Sequence, residues 1–274
     1  MNKPFLKWAG NKYRVLPHLI PHIGYPKRYC EPFGGSLSVA LNTSAEQYIL
    51  NDVNRDLVAI YQNLVDPTDD NFINYCEELF RPENNTREAY LEFRKHFNQI
   101  TDPTERARLF IYLNRHCFNG LSRYNKKGEF NVPFGKYDKP SCPVEEMMNF
   151  RMFFLTKQLF RFTSLSFEDP SLYDDLESGD TVYFDPPYIP VSDTASFTDY
   201  ATEGFTHQQQ IELANLCESL ANRGIKVILS NHDVPVAREL YKNAQIYPIQ
   251  VTRTISAKGD SRKKANELIA VWQS

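Results

Sequence analysis

The chain has 274 residues, 42% of them hydrophobic and 24% charged, with a formal net charge of −3. That length and apolar content are enough for a sizeable core, in one large domain or a domain with a second one inserted. The small negative charge excludes binding to nucleic acid through overall basicity, so any such contact must come from local clustering of cations. No apolar run approaches the length of a membrane span, and the opening Met1-Asn2-Lys3-Pro4 lacks a signal peptide's apolar centre. A soluble, intracellular protein is expected. Cys30, Cys76, Cys117, Cys142 and Cys217 are odd in number and scattered without a Cys-x-x-Cys pair, which points to reduced thiols and no structural metal.

The first informative stretch is Phe5-Leu6-Lys7-Trp8-Ala9-Gly10-Asn11-Lys12, a dense mix of aromatic, glycine and lysine residues. By itself it also reads as a terminal strand with a capping turn. A helical stretch punctuated by Pro17 and Pro21 follows, then a short strand at Arg28-Tyr29-Cys30. Glu31-Pro32-Phe33-Gly34-Gly35-Ser36 then leads into a predicted helix over 37–41, and a strand, glycine turn and helix let a ligand come close to the main chain. Tyr48-Ile49-Leu50-Asn51-Asp52 is a second strand, ending in an acid at about the twenty-residue offset where such folds bind a ribose. The same Asn51-Asp52 pair could instead cap the helix predicted over 54–65.

The composition then changes. Residues 66–98 read as helical, acidic and polar, mostly a solvated face. From Arg106 the sign reverses: Arg106, Arg108, Arg115, Arg123, Lys126, Lys127, Lys136 and Lys139 cluster, interleaved with Tyr112, Phe118, Tyr124, Phe130, Phe134 and Tyr137. Tyr124-Asn125-Lys126-Lys127-Gly128-Glu129-Phe130 has the chemistry of a hairpin tip. A basic hairpin with aromatic partners can read a groove, its cations on phosphates and its inward side chains on base edges; a basic solvated loop is the plainer alternative.

After Pro143 an α/β rhythm returns, with a helix to about residue 160, a strand over 161–165, and the buried run Thr181-Val182-Tyr183-Phe184. That run feeds Asp185-Pro186-Pro187-Tyr188, where the paired prolines forbid further sheet or helix. The Asp185 carboxylate and Pro186 carbonyl become two acceptors on a stiff frame beside the Tyr188 ring, a receptor for a flat group bearing an NH2. In open α/β sheets ligands bind where this turn lies, outside the carboxyl ends of the strands. Residues 189–205 read as a loop that orders on binding. Thr206 and Gln209 form a capping box for a helix with Leu213, Cys217 and Leu220 on its apolar face, stopped by Gly224. A strand over 226–231 exits through Ser230-Asn231-His232-Asp233, and with no nucleophile candidate beside it His232 reads as a packing or capping residue. A basic loop over 253–264 and a strand over 267–272 end the pattern.

Phe5–Lys12, Glu31–Ser38, Asp52, Asp185–Tyr188 and Ser230–Asp233, in that order, resemble the Dam-type DNA adenine-N6 methyltransferases. Asn119-Gly120-Leu121-Ser122-Arg123-Tyr124 and Gly128-Glu129-Phe130-Asn131-Val132-Pro133-Phe134-Gly135 are especially similar to members that methylate GATC. The resemblance implies an α/β fold: a Rossmann-like S-adenosylmethionine-binding catalytic domain from 1–54 and 145–274, interrupted at 55–144 by a mainly helical target-recognition domain carrying a β-hairpin. It implies catalysis at Asp185, Pro186 and Tyr188, and cofactor contacts at Trp8, Lys12, Asp52 and Asp185. It further implies base reading by Lys7, Leu121, Arg123 and Pro133, with Asn119 and Tyr137 near the opened duplex. Leu37 departs from the pattern, since many relatives carry a second glycine there. The resemblance also implies double-stranded DNA as the partner, and a monomer in the cytoplasm on the nucleoid, with neither metal nor membrane, is expected. The enzyme of a restriction–modification pair, a protein-glutamine methyltransferase and a non-catalytic DNA-binding regulator are the alternatives.

Overall fold

Strands and helices alternate near both ends of the chain, and its middle is mainly helical. In chain order the elements are α1 (Leu16–Ile23), β1 (Arg28–Glu31), β2 (Gln47–Asn51), α2 (Arg55–Val65), α3 (Phe72–Glu78), α4 (Arg87–Gln99), α5 (Pro103–His116) and α6 (Val144–Leu155). There follow β3 (Leu159–Thr163), β4 (Thr181–Phe184), α7 (His207–Asn222), β5 (Lys226–His232), α8 (Pro235–Leu240), β6 (Gln245–Thr252) and β7 (Lys264–Trp272). The computed structural model describes residues 1–157, 159–191, 205–252 and 264–273. They fall into two units, one of Met1–Tyr13, Gly35–Asn42 and Asn51–Leu165, the other of Arg14–Gly34, Thr43–Leu50 and Ser166–Ser274.

The second unit is built on the sheet order β2-β1-β4-β5-β7-β6. β1 pairs in parallel with β2 and β4, β4 in parallel with β5, and β7 runs antiparallel to both β5 and β6. All four residues of β4 are buried, as expected for a central parallel strand covered on both faces. α7 opens with the expected capping box between Thr206 and Gln209 and buries Gln210, Leu213, Ala214, Cys217 and Leu220. β6 is the outer strand, the position where Pro248 is tolerated because a ladder donor is not required on the open side.

The first unit is mainly helical. α5 buries nearly its whole length from Ala107 to His116, packed by α2, α3 and α4. Phe5, Tyr61, Phe150, Phe154 and Phe162 form an aromatic cluster, with Phe5–Phe150 centroids 5.3 Å apart and Tyr61–Phe150 5.2 Å apart. β3 belongs to this unit and starts earlier than expected, because α6 already ends at Leu155. The chain must reverse there to set Phe160 and Phe162 against Phe154, at 5.6 and 5.2 Å.

Two expectations are corrected. The helix over 37–41 is only a 3₁₀ turn at Ala40–Asn42, because Gly35 and Leu37 have φ of +48° and +55°, which a right-handed helix cannot include. The basic run from Arg106 is also not one surface. Arg106 makes a bidentate pair with Asp56 at 2.8 and 2.9 Å, Arg108 pairs with Asp69 at 3.2 Å, and Arg115 donates to the Phe5 carbonyl. These three cations of α5 therefore hold the packing of their own unit, while Arg123, Lys126, Lys127, Lys136 and Lys139 are exposed. The loop expected over 189–205 and the basic loop expected over 253–264 lie largely outside the described residues, at 192–204 and 253–263.

Candidate active site

In the second unit the strand order turns back between β1 and β4: β1 leads outward to β2, and β4 leads outward to β5 in the other direction. Such a switch point opens a crevice at the carboxyl ends of the strands. Glu31-Pro32-Phe33 leaves β1 there, and Asp185-Pro186-Pro187-Tyr188 leaves β4. Phe33 packs on Phe167 at 5.4 Å, Phe205 at 5.8 Å and Phe184 at 6.3 Å, giving this end of the sheet an apolar floor.

The prolines remove two N–H groups from the turn, so it is anchored through carbonyls and through its ends. Gln210 Nε2 donates to the Pro187 carbonyl at 2.8 Å, and the Ile189 N–H donates to Asn231 Oδ1 at 2.9 Å. His232 Nδ1 donates to the Ile189 carbonyl at 2.6 Å, which fixes that nitrogen as the protonated one. Asn231 is oriented in turn by its Nδ2 donating to Tyr241 Oη at 2.9 Å. The Tyr188 hydroxyl donates to Glu267 Oε2 at 3.3 Å, and its ring meets His232 edge-on at 4.9 Å. Burial first, then the Asp185 charge, holds the Tyr188 phenol well above its ordinary range, so it remains a neutral donor. Asp185 and Pro186 thus sit on a main chain tied down by α7, β5 and β7. His232 packs as expected. Gln210, Asn231 and Glu267 were not foreseen; the one available signal was a glutamine three residues before Leu213, a polar residue on the buried stripe of α7.

The first unit contains Trp8, Lys12 and Asp52. Asp52 Oδ2 accepts from the Gly35 N–H at 2.8 Å and Oδ1 from the Asn54 N–H at 2.9 Å. Asn54, not Asp52, caps α2, its Oδ1 accepting from Asp56 and Leu57. Burial raises the Asp52 carboxyl above its ordinary value, partly offset by those two backbone donors. The result is a desolvated carboxylate beside a glycine turn. Gly35 is required: a Cβ there would stand 2.9 Å from Trp8 Nε1, so only glycine lets the main chain lie under the indole. Lys12 is buried, its N–H donating to Ser38 Oγ at 3.2 Å and its Nζ to the Gly10 carbonyl at 2.7 Å.

The expected base-reading residues also lie in this unit. Tyr124 and Phe130 bridge antiparallel around a turn closed by Asn125 N–H to Glu129 O at 2.9 Å, so the hairpin tip is formed. Its return strand is pinned by α4: Asn98 bonds both the N–H and the carbonyl of Phe130, at 2.8 and 3.1 Å, and Tyr90 and Arg94 donate to the Val132 carbonyl at 2.8 and 2.9 Å. Arg123 is exposed, with Nε on Asn131 Oδ1 at 2.8 Å. Pro133 and Asn119 are exposed, Leu121 and Tyr137 half-buried. Tyr137 Oη accepts from the Asn119 N–H at 2.9 Å, and Lys7 Nζ lies 4.1 Å over the Tyr137 ring. Lys7, Asn119 and Tyr137 therefore adjoin one another, whereas Arg123 stands at the hairpin.

Among the described residues no group of three or more His, Cys, Asp or Glu side chains could hold a metal ion, and no helix is long and apolar enough to cross a membrane. Residues 8–255 match the model of the D12 class N6 adenine-specific DNA methyltransferases. The chain is similar to the DNA adenine methylase of Escherichia coli (strain K12), with 46% identity over 274 residues, covering 99% of this chain and 96% of that protein. The Salmonella typhimurium (strain LT2) protein of the same name is 45% identical with the same coverage. That of Vibrio cholerae (El Tor Inaba N16961) is 43% identical over 271 residues, covering 98% of this chain and 96% of its own. With likeness of this strength along nearly its whole length, the chain belongs to the D12 class of N6 adenine-specific DNA methyltransferases.

Proposed function

We propose that the enzyme methylates the adenine of GATC in double-stranded DNA with S-adenosylmethionine as donor, acting as a monomer in the cytoplasm on the nucleoid. Residues 1–54 and 145–274 bind the donor and carry the chemistry, and residues 55–144 read the DNA. The observation that carries this reading is the Asp185-Pro186-Pro187-Tyr188 turn, anchored by Gln210, Asn231 and His232 at a switch point of the sheet.

An adenine amino nitrogen is a weak nucleophile because its lone pair is delocalised into the ring. In the proposed complex the Asp185 carboxylate and the Pro186 carbonyl accept its two hydrogens, so the nitrogen pyramidalises and turns its lone pair outward. These bonds strengthen as positive charge develops on nitrogen, and therefore lower the barrier rather than merely tightening binding. S-Adenosylmethionine supplies a methyl group on a positively charged sulfur. Trp8, Lys12, Asp52 and Asp185 are the residues that would hold it, and the fit is supported by the Gly35 turn that a Cβ would obstruct and by the desolvated Asp52 carboxylate, which suits ribose hydroxyls. After transfer the nitrogen carries one proton too many, which the Asp185 carboxylate takes.

The amino group is out of reach inside a duplex, so the base leaves the stack at a cost of a few kcal/mol. Stacking on Tyr188, whose ring is set by His232 and Glu267, returns about 1–3 kcal/mol. Incubating plasmid with protein and donor, then cutting with nucleases that differ in sensitivity to GATC methylation, tests the reading. Protection from the methylation-blocked nuclease and cutting by the methylation-dependent one are expected. Methyl incorporation without that pattern would place the target elsewhere.

A further inference from the structure

Near the end of α5, Asn114 is 1% exposed and uses its amide on two separate stretches of chain. Its Oδ1 accepts from the Lys7 N–H at 2.9 Å, while its Nδ2 donates to the Lys7 carbonyl at 2.7 Å and to the Gly120 carbonyl at 3.3 Å. Holding both the N–H and the carbonyl of one residue does to Lys7 what a neighbouring strand would do, and fixes where its side chain leaves the backbone. Gly120 lies directly against Lys7: a Cβ there would come within 2.3 Å of Lys7 Cβ and 2.8 Å of Cδ.

Gly120 follows Asn119, which has φ +55° and donates its N–H to Tyr137 Oη, and Lys7 Nζ lies over that same Tyr137 ring. The contacts close a circuit from Lys7 through Asn114, Gly120, Asn119 and Tyr137 back to Lys7. An apolar side chain of equal volume would fill the space at 114 but could not make any of these bonds. Burial and the neighbouring Arg115 also lower the Lys7 ammonium's pKa, so this cation gains from an acceptor placed accurately in front of it.

We infer that Asn114 is a positioning residue that locks Lys7 and the Asn119 turn into one body, so that recognition of a base by Lys7 and placement of Asn119 beside the opened duplex succeed or fail together. The inference rests on the base-reading role that the family resemblance implies for Lys7 and on the place it implies for Asn119 near the opened duplex. It makes base opening conditional on correct reading, since neither residue moves independently.

The test uses the full-length enzyme, a GATC duplex and a set altered at one base pair each, with 2-aminopurine at the target position to report base opening. Lys7→Ala identifies the base pair at which Lys7 discriminates. Asn114→Asp keeps the side chain's shape and its acceptor but loses both donations. It is expected to lose discrimination at that same base pair and to lower the 2-aminopurine signal on GATC about tenfold, with affinity for S-adenosylmethionine unchanged. Parental discrimination and fluorescence in Asn114→Asp, or an equal loss on every duplex, would overturn the coupling. Parental discrimination in Lys7→Ala would instead overturn the reading of Lys7, and the coupling with it. Should Asn114→Asp not fold, Gly120→Ala reaches the same contact by crowding Lys7: loss at the Lys7 base pair supports the coupling, and unchanged discrimination overturns it.

Discussion

The turn after β4 and the hairpin after α5 are both anchored, but in opposite senses. At Asp185–Tyr188 the working groups themselves are constrained: Pro186 is buried, Pro187 and Ile189 are bonded through their backbones, and Tyr188 is pinned at ring and hydroxyl. In the hairpin the constraint lies behind the working groups. Asn98, Tyr90 and Arg94 hold the backbone of Phe130 and Val132, while Arg123, Pro133 and Asn119 reach solvent. The difference fits the tasks proposed for the two regions. In the proposed roles, acceptors that meet a developing charge must not reorganise, whereas side chains that test a base edge need a fixed backbone and access to solvent. Arg123 has that access even with its Nε on Asn131 Oδ1 at 2.8 Å.

The sharpest way to break this contrast is Asp185→Ala. Removing an acceptor that acts in the transition state should lower methyl transfer by about 10³-fold or more while DNA affinity persists, because the proposed readers lie elsewhere in the chain. Rates and DNA affinities of the purified variant check this, and a near-parental rate would remove Asp185 from the chemistry. Asp52→Ala should weaken S-adenosylmethionine binding by roughly 1.5–3 kcal/mol, measured by calorimetry, through loss of charge-assisted hydrogen bonds. Unchanged affinity would leave Asp52 only the task of bracing the Gly35 turn against α2.

Arg123→Ala addresses the reading side. Arginine's planar fork matches the paired acceptors of guanine, so about 1–3 kcal/mol of discrimination at the last base pair of GATC should disappear. An equal loss on all sequences, with a smaller salt dependence, would make Arg123 a phosphate clamp. The last effect concerns pH and touches stability alone. His116 is buried against Tyr112 and Phe80, and burial lowers its pKa to about 4. An unfolded chain takes up that proton near pH 6.5 and the folded one does not. Stability should therefore be full above pH 6.5 and decline as pH falls from 6.5 toward 4, and His116→Gln should flatten the profile in that window. Denaturant midpoints at pH 7 and pH 5 decide it.

How much of this could be read beforehand depended on how local the cause was. The β4 run, its proline turn and the Thr206–Gln209 capping box are set by neighbours within a few residues, and they were legible. Asn231, Gln210 and Glu267 support the turn from three elements far apart in sequence, and apart from the place of Gln210 on the buried stripe of α7 nothing at short range marks them as braces. The pairing of Arg106 with Asp56 joins α5 to α2, so a run of cations looked like a surface when part of it was helix packing. β6 was missed because Pro248 interrupts its alternation, a penalty that an outer strand escapes. The 37–41 segment read as a helix because Leu37, with φ +55°, stands where many relatives carry glycine, and a leucine in that place hides the turn.

The central claim, that chemistry and reading belong to separate sets of residues, is tested most directly by single-turnover methylation rates on paired duplexes, GATC and the same site altered at its last base pair. Asp185→Asn and Arg123→Ala are compared with the parent on both. The account predicts that Asp185→Asn lowers both rates by the same factor and leaves their ratio unchanged, whereas Arg123→Ala narrows the ratio. If Asp185→Asn narrows the ratio as much as Arg123→Ala does, the two functions share their residues and the account is contradicted.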